Sequence, residues 1–518
     1  MQTSPFTSLP PSRSSSLDRA FRNVVTDSDR NLITHFLLDA ENESRRYQLE
    51  INQLKASILS LENKQEGLKQ KMDHYRALLS PIHRVPTEIL ARIFSYCVLD
   101  NDGVTCEIWQ LPLSQVCGRW RDVAQNTPQL WTSVSIDFRF WEGYSQRLKN
   151  MTKLAVDRSA NMPLSLTLYW ISNDLQDWML PPLGTLVSQS HRWQNICLTF
   201  TSPSILNHPI FAPTRGSLSS LKHLYLRNAG GAAAQVGLFH NCPSLTSLSL
   251  EGIPESFQFP WLQIKSLALK CYFSHVALSL LAPCTNTVHA SLSVILNDPR
   301  ENRPDNEPIT RPIRSLSVEI INSTEMEQVD VFEKLTLPDL KSLRIEGIGA
   351  TARWAWNDDY ISGFLARSCC TVTELVLSNF PITDFQTVTL LRQLPTLTKL
   401  FIEEFDGPRN KIVTPAFLQS LHPNSNAHST SFLPQMTNLS LEVYEDGLEH
   451  HMLVRALTSR WLPDATYATS IGVNCLKSIT LIIWGTPSPA STSTLSTLDC
   501  LKDAGANVAV EYKEPPPS

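Results

Sequence analysis

No run in the 518 residues approaches the roughly 18 consecutive apolar side chains that carry a helix across a bilayer. The opening MQTSPFTSLPPSRSSSLDRA also lacks the apolar core a secretory leader requires. Both absences lead us to expect a cytoplasmic or nuclear protein that does not engage membrane. Charge of one sign is scarce as well: 44 basic and 49 acidic residues leave a net −5, so no positive field makes nucleic acid the principal ligand. The eleven cysteines fall without pattern. Cys97, Cys106 and Cys117 lack zinc-site spacing, and vicinal Cys369 and Cys370 do not suit a disulfide framework, so buried, reduced thiols are expected. No Walker sequence, Gly-x-Ser-x-Gly elbow or zinc-protease helix occurs. The stretch Gly347-Ile348-Gly349-Ala350-Thr351-Ala352 fits the dinucleotide fingerprint formally, but it lies among the repeats described below, where no doubly wound sheet supplies a switch point, and it reads as a turn. The chain is therefore expected to use no catalytic residue, metal or cofactor and not to be an enzyme.

What the sequence does contain comes in three kinds of segment. Residues 1–30 are a Ser/Pro-rich lead that buries too little apolar surface to order. Residues 31–80 form one long helix whose Tyr47, Ile51, Leu54, Ile58, Leu61, Gln65, Leu68, Met72, Tyr75 and Leu79 alternate steps of four and three, the a/d seam of a coiled coil. Charged residues flank the seam and Pro81 ends it. The seam suits a homodimer, and equally an antiparallel or intramolecular packing.

Residues 81–134 read as a small pair of helices. Pro86 and Glu88 start the first, whose Ile89, Leu90, Ile93, Phe94, Cys97 and Val98 make a stripe too wide for a lone helix to bury. The second carries Leu113, Val116, Cys117, Trp120, Val123 and Ala124 on one face and is closed by Pro128, with Gly118 in its interior costing about 1 kcal/mol against alanine. The order Val85-Pro86-Thr87-Glu88-Ile89-Leu90, Ile93-Phe94, then Leu113 to Ala124 and Thr127-Pro128-Gln129-Leu130-Trp131, resembles the F-box. Val85 stands where that family usually has leucine, and Gly118 where it usually has a basic residue. The resemblance implies docking on a Skp-type adaptor, and through it on a cullin, by Pro86, Ile89, Leu90, Ile93, Phe94, Val116 and Trp120.

From Trp193 the template Leu-x-x-Leu-x-Leu recurs, as in Leu221-Leu224-Leu226, Leu245-Leu248-Leu250, Leu340-Leu343-Ile345 and Leu476-Ile479-Leu481, with His289-Leu292-Val294 as a degenerate copy. One strand and one helix cannot bury such leucines, whereas stacked copies can. The pattern resembles a leucine-rich-repeat solenoid over 193–512. A connecting cap is expected over 135–192, with Leu164-Ser165-Leu166-Thr167-Leu168 as a strand, together with exposed loops at 297–312 and 404–432 and a frayed tail at 513–518. The ninth template position, Asn or Cys in that family, is here apolar or aromatic (Ile253, Tyr272, Ile321, Phe380, Trp484), which implies an irregular solenoid held by packing. The fold expected is thus α/β: an irregular leucine-rich-repeat solenoid preceded by a small helical F-box and a long coiled-coil helix.

This organisation implies a substrate-receptor subunit of a cullin-type ubiquitin ligase, or alternatively a non-degradative protein-interaction scaffold. The outward position after each strand's last leucine turns acidic in the later repeats, at Glu319, Glu346, Glu403 and Glu442, and Val376 and Phe401 lie nearby. These six residues are the candidate contacts for a basic, extended segment of a protein substrate.

Overall fold

The computed structural model describes residues 26–99, 112–172, 174–230, 236–295, 308–321, 331–348, 356, 358–380, 382–404, 411–423 and 431–514. The expectations for residues 1–25, Cys106, 297–307, 405–410, 424–430, the turn at 349–352 and the tail 515–518 lie outside them. The chain divides into two units between Leu90 and Ala91.

In the first unit the heptad stretch folds as a single α-helix, Asp27–Leu78, of 52 residues. Thr26 caps it: its hydroxyl accepts from the Asp29 N–H while the Asp29 carboxylate accepts from the Thr26 N–H, a capping box that satisfies two otherwise orphaned donors. None of its residues is buried, and the apolar seam residues from Tyr47 to Leu79 are 44–74 % exposed. Among the described residues, none of the chain's helices is long and apolar enough to cross a membrane.

The second unit is built on a fourteen-stranded sheet that runs from Ser133–Asp137 to Asn507–Lys513, all pairings parallel and each strand beside its predecessor in the chain. Side chains alternate along each strand, so the fourth and sixth template residues point into the core: Leu224 and Leu226, Leu343 and Ile345, Leu439 and Leu441 are all at most 2 % exposed. Helices between the strands bury one stripe each. In Ser145–Arg158 it is Leu148, Thr152, Ala155 and Val156, and in His450–Ser459 it is Leu453, Val454, Ala456 and Leu457.

A repeating backbone contact joins the copies. The carbonyl of the second template residue accepts from two consecutive N–H groups of the next copy: Thr246 and Ser247 donate to Lys222, Lys265 and Ser266 to Thr246, Lys341 and Ser342 to Arg314, and Lys477 and Ser478 to Thr437, at 2.7–3.1 Å. The same contact corrects the frame of the degenerate copy. Val288 takes the second position, so the template there is Thr287-x-x-Ala290-x-Leu292, two residues earlier than the spacing of His289-Leu292-Val294 suggests, and His289 is exposed.

Three boundaries differ from expectation. The sheet begins at Ser133, not at Trp193: the strand expected at 164–168 forms, as Leu164–Tyr169 with Leu164, Leu166 and Leu168 buried, but it belongs to the sheet, between Ser133–Asp137 and Trp193–Phe200. The supposed loop 404–432 contains the helix Pro415–Leu421, started by Thr414, whose hydroxyl accepts from the Phe417 N–H, and anchored by buried Phe417, Leu418 and Leu421. The end of the loop at 297–312 carries a two-residue parallel pairing, Ile309–Thr310 with Leu335–Thr336. The cysteines differ too: of the described ones only Cys242 and Cys284 are buried, and burial pushes both thiols up to about 12.

Arg460, at 1 % exposure, closes the span around the helix Pro415–Leu421. Its Nε donates to the Leu421 carbonyl at 2.7 Å, Nη1 to Leu433 at 2.9 Å and Nη2 to Phe432. Burial holds its pKa down at about 10. Arg460→Met keeps the stem's volume but strands these carbonyls, and it should destabilise the second unit by roughly 3 kcal/mol, read as a lower urea midpoint at unchanged m-value.

Candidate functional site

The first helix of the pair, Thr87–Leu99, begins where the Leu90 N–H donates to the Pro86 carbonyl at 3.0 Å. The wide apolar stripe resolves into two. Leu90 and Phe94, one turn apart, are fully buried, and the Phe94 ring meets Trp120 with centroids 4.9 Å apart. Ile89, Ile93 and Tyr96, at i, i+4 and i+7, are exposed at 49, 42 and 58 %. Val116 is 60 % exposed, Pro86 is exposed and Trp120 is half-buried. Of the seven residues expected at an adaptor, four thus face solvent, two are interior, and Trp120 backs Phe94. Tyr96 escaped the sequence reading because the i, i+1, i+4, i+5 stripe drew attention to Cys97 instead, although its spacing from Ile89 marks the same face.

The second element is not one helix. It splits into Pro112–Val116 and Gly118–Gln125, with Cys117 extended between them at φ −157° and its Sγ accepting from the Trp120 N–H at 3.5 Å. Gly118 therefore opens a helix rather than weakening the middle of one, and the interior cost assigned to it does not arise. The Arg121 Nε donates back across the break to the Ser114 carbonyl at 3.1 Å. Downstream, the Trp131 indole N–H donates to the Ala124 carbonyl at 2.8 Å, the Arg158 guanidinium lies 5.0 Å over the Trp131 ring, and the Ser165 N–H donates to Thr132. These contacts fasten Gly118–Gln125 to the first strands of the sheet.

On the sheet, the candidate acidic residues occupy one register row. Glu319 pairs with Glu346, Glu346 with Ser378, Ser378 with Glu403 and Glu403 with Glu442. Burial and the neighbouring Glu319 raise the Glu346 pKa, and burial with Glu403 raises that of Glu442, although the Trp484 indole N–H donates to Glu442 at 2.9 Å. Arg344 reaches only 3.9 Å from Glu346. Glu403 is more fully held, accepting from Ser378 and, at 2.9 Å, from Asn379. The earlier half of the row is neutralised in place: Arg227 pairs with Glu251 at 2.9 Å, and the Tyr225 hydroxyl donates to Glu251 at 2.6 Å. Two strand positions before the acidic row, Arg344, Val376 and Phe401 are neighbours; Phe401 is half-buried, but Val376 is 8 % exposed, so it supports the row and offers little surface of its own. Glu404, absent from the sequence reading, is buried, and its Oε1 accepts from Ile412 and Val413 at 3.0 and 2.7 Å, which makes it a structural carboxylate.

Gly118→Ala has room at the start of the helix Gly118–Gln125. A Cβ there meets nothing within 4 Å and the backbone is not left-handed. The variant should be neutral or up to about 1 kcal/mol more stable in thermal melts, by restricting the unfolded chain.

No curated protein matches this chain. The family model F-box-like matches residues 82–137, a span that takes in both helical elements, the Trp131 anchor and the first strand, and so the segment in which the exposed Ile89, Ile93, Tyr96 and Val116 lie is an F-box-like domain.

Proposed function

We propose that the chain is the substrate-receptor subunit of a cullin-type ubiquitin ligase in the cytoplasm or nucleus, a binding subunit without catalysis of its own. The observation that carries this reading is the exposed apolar face of the first helix within the F-box-like domain. Isoleucines one turn apart, with Tyr96 beyond them, present the surface that an adaptor would cover, while Leu90 and Phe94 keep that face in place from inside. In this reading Pro86, Ile89, Ile93 and Val116 touch a Skp-type adaptor that leads to a cullin, and the sheet with its helices is an irregular leucine-rich-repeat solenoid. Support for the solenoid comes from the coincidence of template copies with consecutive parallel strands and from the backbone contact that recurs from copy to copy. The long helix, with its exposed seam, provides self-association.

Ile89→Asp with Ile93→Asp should abolish binding of a Skp-type adaptor in a titration, while circular dichroism and the melting of the sheet stay as in wild type, since both side chains are already in water. Phe94→Ala should instead destabilise the F-box-like domain by about 3–5 kcal/mol. Unchanged adaptor affinity in the double aspartate variant would refute the receptor assignment.

The row Glu319, Glu346, Glu403 and Glu442, flanked by Phe401, is the proposed seat for a basic, extended substrate segment. Because the pKa values of Glu346 and Glu442 are raised, these groups hold protons above the ordinary carboxylate range and complete their negative charge only as pH climbs through the raised values. Capture of an oligolysine peptide at low salt should therefore strengthen as pH rises through the mildly acidic range. Glu319→Lys with Glu346→Lys should remove both the binding and its pH dependence in fluorescence anisotropy, and leave adaptor binding intact.

A further inference from the structure

We propose that the helix Asp27–Leu78 pairs with a second copy of itself in antiparallel orientation, its two-fold axis crossing between Leu59 and Ser60. This builds on the self-association assigned above and adds direction and register. The occupant follows from the charges beside the seam. With Ile51, Ile58, Gln65 and Met72 at heptad position a and Leu54, Leu61 and Leu68 at d, position g holds Glu50, Ser57, Lys64 and Lys71, and position e holds Lys55, Glu62, Lys69 and Arg76.

A parallel in-register pair brings each g residue to the following e residue of the other copy. Glu50 then meets Lys55, but Lys64 meets Lys69 and Lys71 meets Arg76, so like-charge contacts outnumber the attractive one. An antiparallel pair brings g to g and e to e. With the axis between Leu59 and Ser60, Glu50 faces Lys71 of the second copy, Lys55 faces Glu62 and Glu41 faces Arg76, and no like charges meet. The core layers are Ile58 with Leu61, Leu54 with Gln65, Ile51 with Leu68 and Tyr47 with Met72. Sliding by one heptad toward the N-terminus sets Lys55 against its own copy.

Among the described residues, Glu50, Lys55, Glu62 and Lys71 take part in no ion pair within the helix, so they are open to a partner; Glu41 and Arg76 already pair locally with Arg45 and Asp73. Gln65 is the one seam residue that favours parallel pairing, where it would face its own copy, but this single layer stands against two kinds of cation–cation contact, each occurring twice by symmetry. The overlap from Ala40 to Leu79 extends about 60 Å at 1.5 Å per residue. The two chains would then leave the pair at Pro81 from opposite ends.

Sedimentation equilibrium of the full chain tests this through Lys71. The antiparallel pair predicts a dimer whose dissociation constant rises about tenfold in Lys71→Glu, where the introduced carboxylate would meet Glu50. Adding Glu50→Lys should return it to near the wild-type value, a rescue that the neighbouring register does not allow, because there the introduced ammonium would meet Lys64. Parallel pairing predicts the reverse for Lys71→Glu, a tighter dimer through an attraction between the introduced carboxylate and Arg76, and that result would overturn the orientation while leaving self-association standing. A wild-type chain that stays monomeric would remove self-association itself. A dimer indifferent to both variants would show that association does not run through this helix, and would equally overturn the proposal.

Discussion

A parallel strand finds no hydrogen-bond partner within its own repeat, and this constraint shapes the second unit. Each strand's donors and acceptors must be met by the copies before and after it, so the copies must stack in sequence order and in one register. The paired donation onto the second template carbonyl, from Lys222 through Thr246, Lys265, Val288, Arg314, Lys341, Thr373 and Thr398 to Thr437, fixes that register at the point where each strand begins. Asn or Cys at the ninth position is not needed for it. Side chains at the ninth position nevertheless join turns: the Tyr272 hydroxyl donates to the Ile253 carbonyl at 3.0 Å and accepts from the Ile253 N–H at 2.7 Å, and the Trp484 indole N–H donates to Glu442, so residues counted as apolar filling bridge neighbouring copies.

Where the regular stacking is interrupted, buried arginines take up the stranded carbonyls. Arg460 does so around the helix Pro415–Leu421, and Arg192 does so near the start of the sheet, with Nε on the Met162 carbonyl at 2.9 Å and Nη2 on the Ser159 hydroxyl at 2.8 Å. Burial lowers the pKa of both guanidinium groups, and among the described residues neither has a carboxylate within ion-pair distance. Their planar array of donors suits several carbonyls at once, which a lysine could not match.

Strict register also gives the outer surface its character. Because the copies from Ser315–Ile321 onward place equivalent residues side by side, with the register shifts lying earlier, at Leu164/Ser165 and Leu269/Tyr272, a bias at one template position becomes a continuous feature of the later copies. The early copies mix Arg227, Glu251 and Lys270 at this position and neutralise themselves, while the later ones align carboxylates that Arg344, 3.9 Å from Glu346, offsets only in part. The F-box-like domain sits at the other extreme of order, where single contacts such as Trp131 on Ala124 and Phe94 on Trp120 decide which apolar residues remain outside.

The sequence by itself determined the long helix, the helical pair and most strands, because each is written in a short-range period: four-and-three along the heptads, one wide stripe on Thr87–Leu99, and six residues in the template. It also placed Glu319, Glu346, Glu403 and Glu442 in one row, since a repeated template carries register with it. Only the tertiary structure decided which half of the wide stripe is interior, because Leu90 and Ile89 are equally apolar and differ only in which way the helix face turns. Only it showed that the second helix breaks at Cys117, that Val376 is covered and that Glu404 is buried, since the first two follow no periodicity in the sequence and the third depends on how the chain turns back to bring the Ile412 and Val413 N–H groups to the carboxylate. The strand at 164–168 was legible, but not its place in the sheet: the first two strands keep the period of two and not the six-residue template, and only the pairing of Leu164–Tyr169 with Trp193–Phe200 on one side and with Ser133–Asp137 on the other puts both in the sheet.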